Sequence, residues 1–328
     1  MRWYGFNLCE VWLEDGDERW PHFTPGGLGS FDERHFRWIA EWGFNFVRIP
    51  MCYLRWTGPA DPTRLREAGL APVDQAVAWG RKCGLHVSLN LHHAPGFCVN
   101  PPRQPEPWSL WSDEDAQNAF VGQWAHFARH YRDIRPECLS FNLLNEPKAA
   151  DRQAHEGVVR RAVAAIRAAD VGRPIIVDGL DMRPCRELCD LGLIQSCRGY
   201  HPVEVSHHRA WWADDPRRPA VWPPPGQDGG AWMETLYAPW VQLQRQGVAV
   251  HCGECGAHNR TPHQVFLRWM ADLLAVLGRH GIGWALWNFR GSFGVLDSAR
   301  QDVAYGDWHG HALDRTLLDL LRAHTRPR

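Results

Sequence analysis

Eight times along the chain, an apolar run of strand length is followed by a turn-bounded stretch of helical periodicity, and this alternation restricts the fold more than any other feature. The strand-like runs cover 3–8, 44–50, 86–91, 139–144, 174–178, 194–200, 248–254 and 283–289. Most are near-continuously apolar, the pattern of parallel strands covered on both faces. Helical stretches fall between them: one capped by Ser30 or Asp32, then 72–83, a long one capped by Asp113, 155–169, a short turn near Cys185, 231–246, 261–279 and 313–323. A closed parallel (β/α)8 barrel, the TIM-barrel class, is the economical fold, as a single domain over residues 1–328. A doubly wound open sheet is the alternative, but no G-x-G-x-x-G follows the first strand.

Size and charge agree with that reading. The chain has 328 residues and 45% hydrophobic content, enough for one large core. Its net charge of −1 argues against nucleic acid or an anionic membrane as the main partner. No run approaches the roughly 18 apolar residues of a membrane helix. The N-terminus enters a strand-like segment at once, so a cytoplasmic location is expected unless a secretion signal has been removed. Ten scattered cysteines suit reducing surroundings, where several sit inside predicted elements as small apolar side chains. Cys252 and Cys255 form a C-x-x-C without a second pair at zinc-ribbon spacing. His207 and His208 are adjacent and point apart in extended chain, and there is no H-E-x-x-H. Neither a metal nor a cofactor is expected.

Two strand-like runs end in a glutamate: 139–144 leads into Asn145-Glu146-Pro147, and 248–254 ends on Gly253-Glu254. A carboxylate there does nothing obvious for folding, and Pro or Gly beside it ends the ladder. Ordinary solvated loop acids are the bland reading of either one alone. In a barrel of this kind, however, catalytic groups stand at the C-terminal ends of the strands. The same ends carry Arg48, His92-His93, Arg198, Tyr200, His201 and Trp287. Two carboxyls, one kept protonated and one ionised, among aromatic and hydrogen-bonding residues, suit glycoside hydrolysis.

Asn145-Glu146-Pro147, Gly253-Glu254, the run from Trp284 to Phe289, Val47-Arg48-Ile49-Pro50 and the run from Leu91 to Gly96 together resemble glycoside hydrolase family 5, the cellulase family. The likeness runs through almost the whole chain in order. It implies a TIM barrel with a retaining mechanism acting on β-1,4-glucan or β-gluco-oligosaccharides, without a cofactor. By the same resemblance Glu146 is the acid/base and Glu254 the nucleophile. Asn145 would bind the sugar 2-hydroxyl, and Trp287 would floor the cleavage subsite. Arg48 and His92 would line or support the site, and Tyr200 would hydrogen-bond the nucleophile. The family usually has a His two residues before that Tyr; here the position is Arg198, and His201 could supply an imidazole instead.

The resemblance leaves β-mannan, β-1,3-glucan and small β-glucosides open as substrates. A carbohydrate-binding barrel without catalysis is a rival, against which both glutamates are intact. A metal hydrolase using the histidines is another. Each single residue also has a structural reading: Arg48 as an ion pair, Trp287 as core, and Trp108, Trp111, Trp211, Trp212 and Trp222 as loop packing. The 19 tryptophans are themselves unusual, because loop tryptophans are costly to expose unless a ligand covers them.

Overall fold

The computed structural model describes residues 2–13, 23–25, 27–58, 61–100, 105–148, 151–213 and 218–325. In chain order the elements are β1 (Tyr4–Asn7), α1 (Glu33–Glu41), β2 (Phe46–Cys52), α2 (Ala71–Lys82), β3 (His86–Ala94), β4 (Phe97–Cys98) and α3 (Glu114–His130). Then come β5 (Leu139–Asn142), α4 (Arg152–Ala169), β6 (Ile175–Asp178), β7 (Ile194–Gly199), α5 (Val203–Ser206), α6 (Gly229–Arg245) and β8 (Val250–Cys255). The chain finishes with α7 (His263–Arg279), β9 (Gly283–Leu286), β10 (Gly306–Trp308), β11 (His311–Leu313) and α8 (Arg315–Ala323).

Parallel strands pair in the order β2-β1-β9-β8-β7-β6-β5-β3, and β3 returns to β2, so the sheet closes without an edge. This is the expected TIM barrel. Every residue of β2, β3, β5, β6 and β8 is buried, as the unbroken apolar runs require. Asp32, Asp151, Asp228 and Asp314 accept a backbone N–H in the first turn of α1, α4, α6 and α8 and so start those helices. Asp113 differs from the expectation: its carboxylate accepts the N–H of Ser109 at 2.6 Å instead of capping α3. Pro50 does not end β2, which continues to Cys52 beside β3.

The hairpin of β10 and β11 was not legible, because three-residue strands carry no periodicity. Asp297 secures it by accepting bonds from Arg290 Nε (2.9 Å), His311 Nδ1 (2.8 Å) and the N–H of Ala312 (2.9 Å).

Tryptophans fill the layer between barrel and helices. Trp38, Trp124, Trp269 and Trp284 are at most 1% exposed. Two of these buried rings satisfy their N–H on a backbone carbonyl: Trp124 donates to Leu143 O at 3.1 Å and Trp269 to His201 O at 3.0 Å. The N-terminal end of the barrel is plugged by Trp3 stacked on His86, with ring centroids 4.2 Å apart. That leaves the opposite end, where the strands finish, for chemistry.

Trp124 packs at a tilt against Phe127 of α3 and Phe141 of β5, so it locks α3 onto β5. Trp124→Ala should cost about 3–5 kcal/mol, read as a lowered midpoint of guanidinium unfolding with no change in the cleft residues.

Candidate functional site

Each strand end delivers one part of the site. Arg48 comes from β2, His92 from β3, Asp178 from β6, Arg198 from β7 and Glu254 from β8; Asn145, Glu146, Tyr200 and Trp287 follow β5, β7 and β9. Two β-bulges aim these groups. On β3 the pairing steps from Met51↔Leu91 to Cys52↔His93, so His92 is the extra residue. On β8 it steps from Cys197↔Cys252 to Arg198↔Glu254, so Gly253 is the extra residue. A Cβ at Gly253 would lie 2.5 Å from Ser196 Oγ and 3.1 Å from Arg198 Nη1. Glycine is therefore the residue that lets the Arg198 guanidinium lie against the bulge. Asn7 holds the same turn by donating to Gly253 O at 3.1 Å.

Arg48 is 1% exposed, and its donors stay within the protein. It donates to Asn142 Oδ1 (2.9 Å), Asn7 Oδ1 (2.9 Å), Glu254 Oε1 (2.7 Å) and Asn145 Oδ1 (2.8 Å). Arg198 spans the carboxyl groups: it bonds Glu146 Oε1 through Nε at 2.9 Å, pairs with Asp178, and lies 3.4 Å from Glu254 Oε1. Its other terminal nitrogen donates to Ser196 Oγ at 2.9 Å. Asn145 Oδ1 takes bonds from both arginines, which can only donate. That fixes the amide orientation and leaves Nδ2 as a donor toward the cleft, 3.4 Å from His92 Nε2.

Asp178 is the carboxylate that sequence reasoning passed over. It is 1% exposed; Oδ1 accepts from Asn142 Nδ2 at 2.9 Å, and Oδ2 accepts the N–H of Glu146 at 3.0 Å. Glu146 sits at φ 43°, a left-handed conformation uncommon for a residue with a side chain. The Asp178 bond helps hold it there. The signal that could have found Asp178 is the one that found the glutamates, an acid at the end of an apolar strand.

The environment splits the two glutamates. Burial and the Glu254 charge raise the Glu146 carboxyl to about 7, against the lowering pull of Arg198. Burial also opposes ionisation of Glu254, but the Arg198 and Arg48 cations overcome it, helped by Tyr200, and bring it to about 2. Tyr200 donates to Glu254 Oε2 at 2.8 Å, and burial with the neighbouring carboxylates keeps its phenol protonated. Burial lowers the His92 imidazole to about 4, so it is neutral near pH 7. Between about pH 2 and pH 7 the pocket therefore holds one protonated and one ionised glutamate.

An aromatic wall completes the cleft. Trp287 lies over His92, centroids 5.4 Å apart and planes 20° apart, with Trp12 meeting it edge-on at 5.7 Å. Phe23, Trp212 and Phe293 also line the cleft. The Trp287–Asn288 peptide is cis.

The structure thus brings Glu146, Glu254, Asn145, His92, Tyr200 and Trp287 to one cleft, with Arg48 and Arg198 beneath it. His201 does not join them: it is exposed, and its carbonyl accepts from Trp269. The imidazole against Tyr200 belongs to His207, with centroids 5.1 Å apart and Nδ1 2.7 Å from Ser206 Oγ. Periodicity could not foresee this, because 207 lies just past a four-residue helix. Of the loop tryptophans, Trp212 lines the cleft, Trp211 is 65% exposed, and Trp222 is buried with Nε1 on Asp272 at 2.8 Å. Trp108 is half-buried, and Trp111 packs on Phe97 and His155.

The family model described as cellulase (glycosyl hydrolase family 5) matches residues 29–292. Endoglucanase C of Acetivibrio thermocellus is 25% identical over 307 residues, covering 83% of this chain and 88% of that protein. A crystal structure titled only as a glycoside hydrolase superposes with a TM-score of 0.90 at 35% identity, covering 99% of both chains. Thermotoga maritima Cel5A in complex with mannotriose superposes at 0.77 and 22% identity over 97% of each chain, a likeness of fold.

Carboxyl-labelled NMR checks the split of the glutamates directly. Glu146 should titrate near 7 while Glu254 stays ionised throughout that range. Because Asp178 raises Glu146, Asp178→Asn should move the Glu146 transition to lower pH; an unmoved transition would detach Asp178 from the site's electrostatics.

Proposed function

The chain belongs to the cellulase family, glycosyl hydrolase family 5, and from that premise we propose that it hydrolyses β-1,4-linked glucan or gluco-oligosaccharides with retention of anomeric configuration. The observation that carries the reading is the paired glutamates: Glu146 at about 7 and Glu254 at about 2, spanned by Arg198. In the first step Glu146 protonates the glycosidic oxygen, the bond from that oxygen to the anomeric carbon breaks, and a Glu254 carboxylate oxygen forms the glycosyl ester. Glu146, now ionised, takes a proton from water, which hydrolyses the ester and releases Glu254. Arg48 and Tyr200, one on each Glu254 oxygen, hold the nucleophile in place. Asn145 Nδ2, 3.4 Å from His92 Nε2, is a donor at the cleft suited to the sugar 2-hydroxyl, whose bond strengthens in the transition state. Trp287 offers an apolar face to a sugar ring. The name endoglucanase of the Acetivibrio relative supports a glucan substrate, and the family description cellulase favours the β-1,4 linkage. A panel of β-1,4-gluco-, β-1,4-manno- and β-1,3-gluco-oligosaccharides tests it, with fastest turnover expected on the first. Inverted product by NMR on any of them would reject the double displacement.

Glu254→Ala should abolish turnover on every substrate, since no nucleophile remains. Glu146→Ala should lose about 10²–10⁴-fold on oligosaccharides but far less on an aryl glycoside whose leaving group needs no proton. Equal losses on the aryl glycoside would undo the assignment of roles.

Arg198 sets both limbs of the pH profile in this reading. Activity needs Glu254 ionised and is lost as pH falls through its carboxyl value; it needs Glu146 protonated and is lost as pH rises through about 7. Arg198 lowers both carboxyls. Arg198→His, a weaker and titratable cation, should move both limbs of kcat/KM to higher pH. Unmoved limbs with a lowered Tm would reduce Arg198 to a structural ion pair.

A further inference from the structure

Away from the cleft, three metal-ligand side chains converge on the connection between β6 and β7. His155 lies in the first turn of α4, Cys185 precedes the 3-10 turn Arg186–Leu191, and Glu187 lies within that turn. One donor atom from each lies within 4.8 Å of the other two. His155 and Cys185 are buried, while the Glu187 side chain remains 19% exposed and gives access from solvent. A second observation points the same way. His155 is 1% exposed, yet neither ring nitrogen has a hydrogen-bond partner. In folded proteins most buried polar groups find a partner, so an imidazole with both nitrogens unpaired beside a thiol and a carboxylate invites a ligand.

The Cys185 backbone is also fixed in place. Gln195, buried in β7, accepts from the Cys185 N–H at 2.8 Å and donates to its carbonyl at 2.7 Å. Its thiol makes only long contacts, accepting from Leu180 N at 3.4 Å and donating toward Asp178 O at 3.8 Å. Glu187 Oε1 is paired with Arg152 Nη1 at 2.7 Å, and Oε2 is left for an ion. Arg152 is 49% exposed and can turn out to water.

We propose that His155, Cys185 and Glu187 bind a borderline-soft divalent cation of the zinc type. A thiolate, a neutral imidazole and a carboxylate favour zinc over magnesium or calcium, which take oxygen ligands. Their two negative charges balance a dication. Zinc arms of about 2.0–2.3 Å separate tetrahedral ligands by up to roughly 3.8 Å, so the trio needs to close by about an ångström, and the fourth position takes water. Binding releases the Cys185 proton to solvent and forms the metal–sulfur bond, with no change of oxidation state. Because the connection from 179 to 193 follows Asp178, the ion fastens the segment behind the Asp178–Arg198 pair. The site is independent of what the cleft hydrolyses.

The test uses the full chain without an affinity tag, stripped with a chelator and titrated with Co²⁺ and then Zn²⁺. One equivalent of cobalt should bring up a thiolate-to-cobalt charge-transfer band, which zinc should bleach. At a hundredfold excess over Kd, zinc should raise Tm by about 5 °C. Cys185→Ser should abolish the band, and Glu187→Gln should keep it but weaken cobalt binding by at least about tenfold. If Cys185→Ser does not fold, the half-open Glu187→Gln variant decides alone. Absence of the band, or a band and Tm shift unchanged in the variants that fold, overturns the site.

Discussion

Two guanidinium groups and three carboxyl groups are buried together at the mouth of the barrel, and two cations neutralise only two anions. Burying a charge costs several kcal/mol unless it is paired and fully hydrogen-bonded. The proton therefore goes to the carboxyl with the least cationic company. Asp178 and Glu254 each face both arginines, whereas Glu146 meets Arg198 alone, and Glu146 is the group whose carboxyl is raised. Charge balance in a dry place thus produces an acid beside a base without any special chemistry in either residue. The same balance explains why Asn7, Asn142, Asn145 and Ser196 surround the arginines: each supplies an oxygen to a donor that water cannot reach.

Much of this was legible because strand ends are legible. An apolar run that stops at an acid marks both a barrel strand and its functional rim, and it located Glu146 and Glu254. The Tyr200 bond to Glu254 and the position of Trp287 at the cleft followed the family pattern. Arg198, the departure from that pattern, contacts Glu146 as well as approaching Glu254.

What escaped was the geometry that depends on pairing partners. A bulge is a mismatch between two strands, so neither His92 on β3 nor Gly253 on β8 announces one from its own neighbours. Asp178 looked like a strand terminus because its bonds all go to residues distant in sequence. His201 and His207 could not be ranked, since a short helix between them turns one outward and the other onto Tyr200. The cluster of His155, Cys185 and Glu187 likewise draws on separate elements and forms no short motif.

The lack of room beside Gly253 reaches beyond the site into the history open to the sequence. With the Ser196 hydroxyl oxygen 2.5 Å and an Arg198 guanidinium nitrogen 3.1 Å from where a Cβ would stand, position 253 is closed to other residues while serine and arginine keep their present conformations. The order of substitution is then not free: a lineage must remove or turn the hydroxyl at 196, and ease the side chain at 198, before 253 can drift. Positions 196, 198 and 253 should vary as a linked set across descendants of this chain, and an ancestor that carried histidine at 198 would have had to hold glycine at 253 already when the arginine arrived.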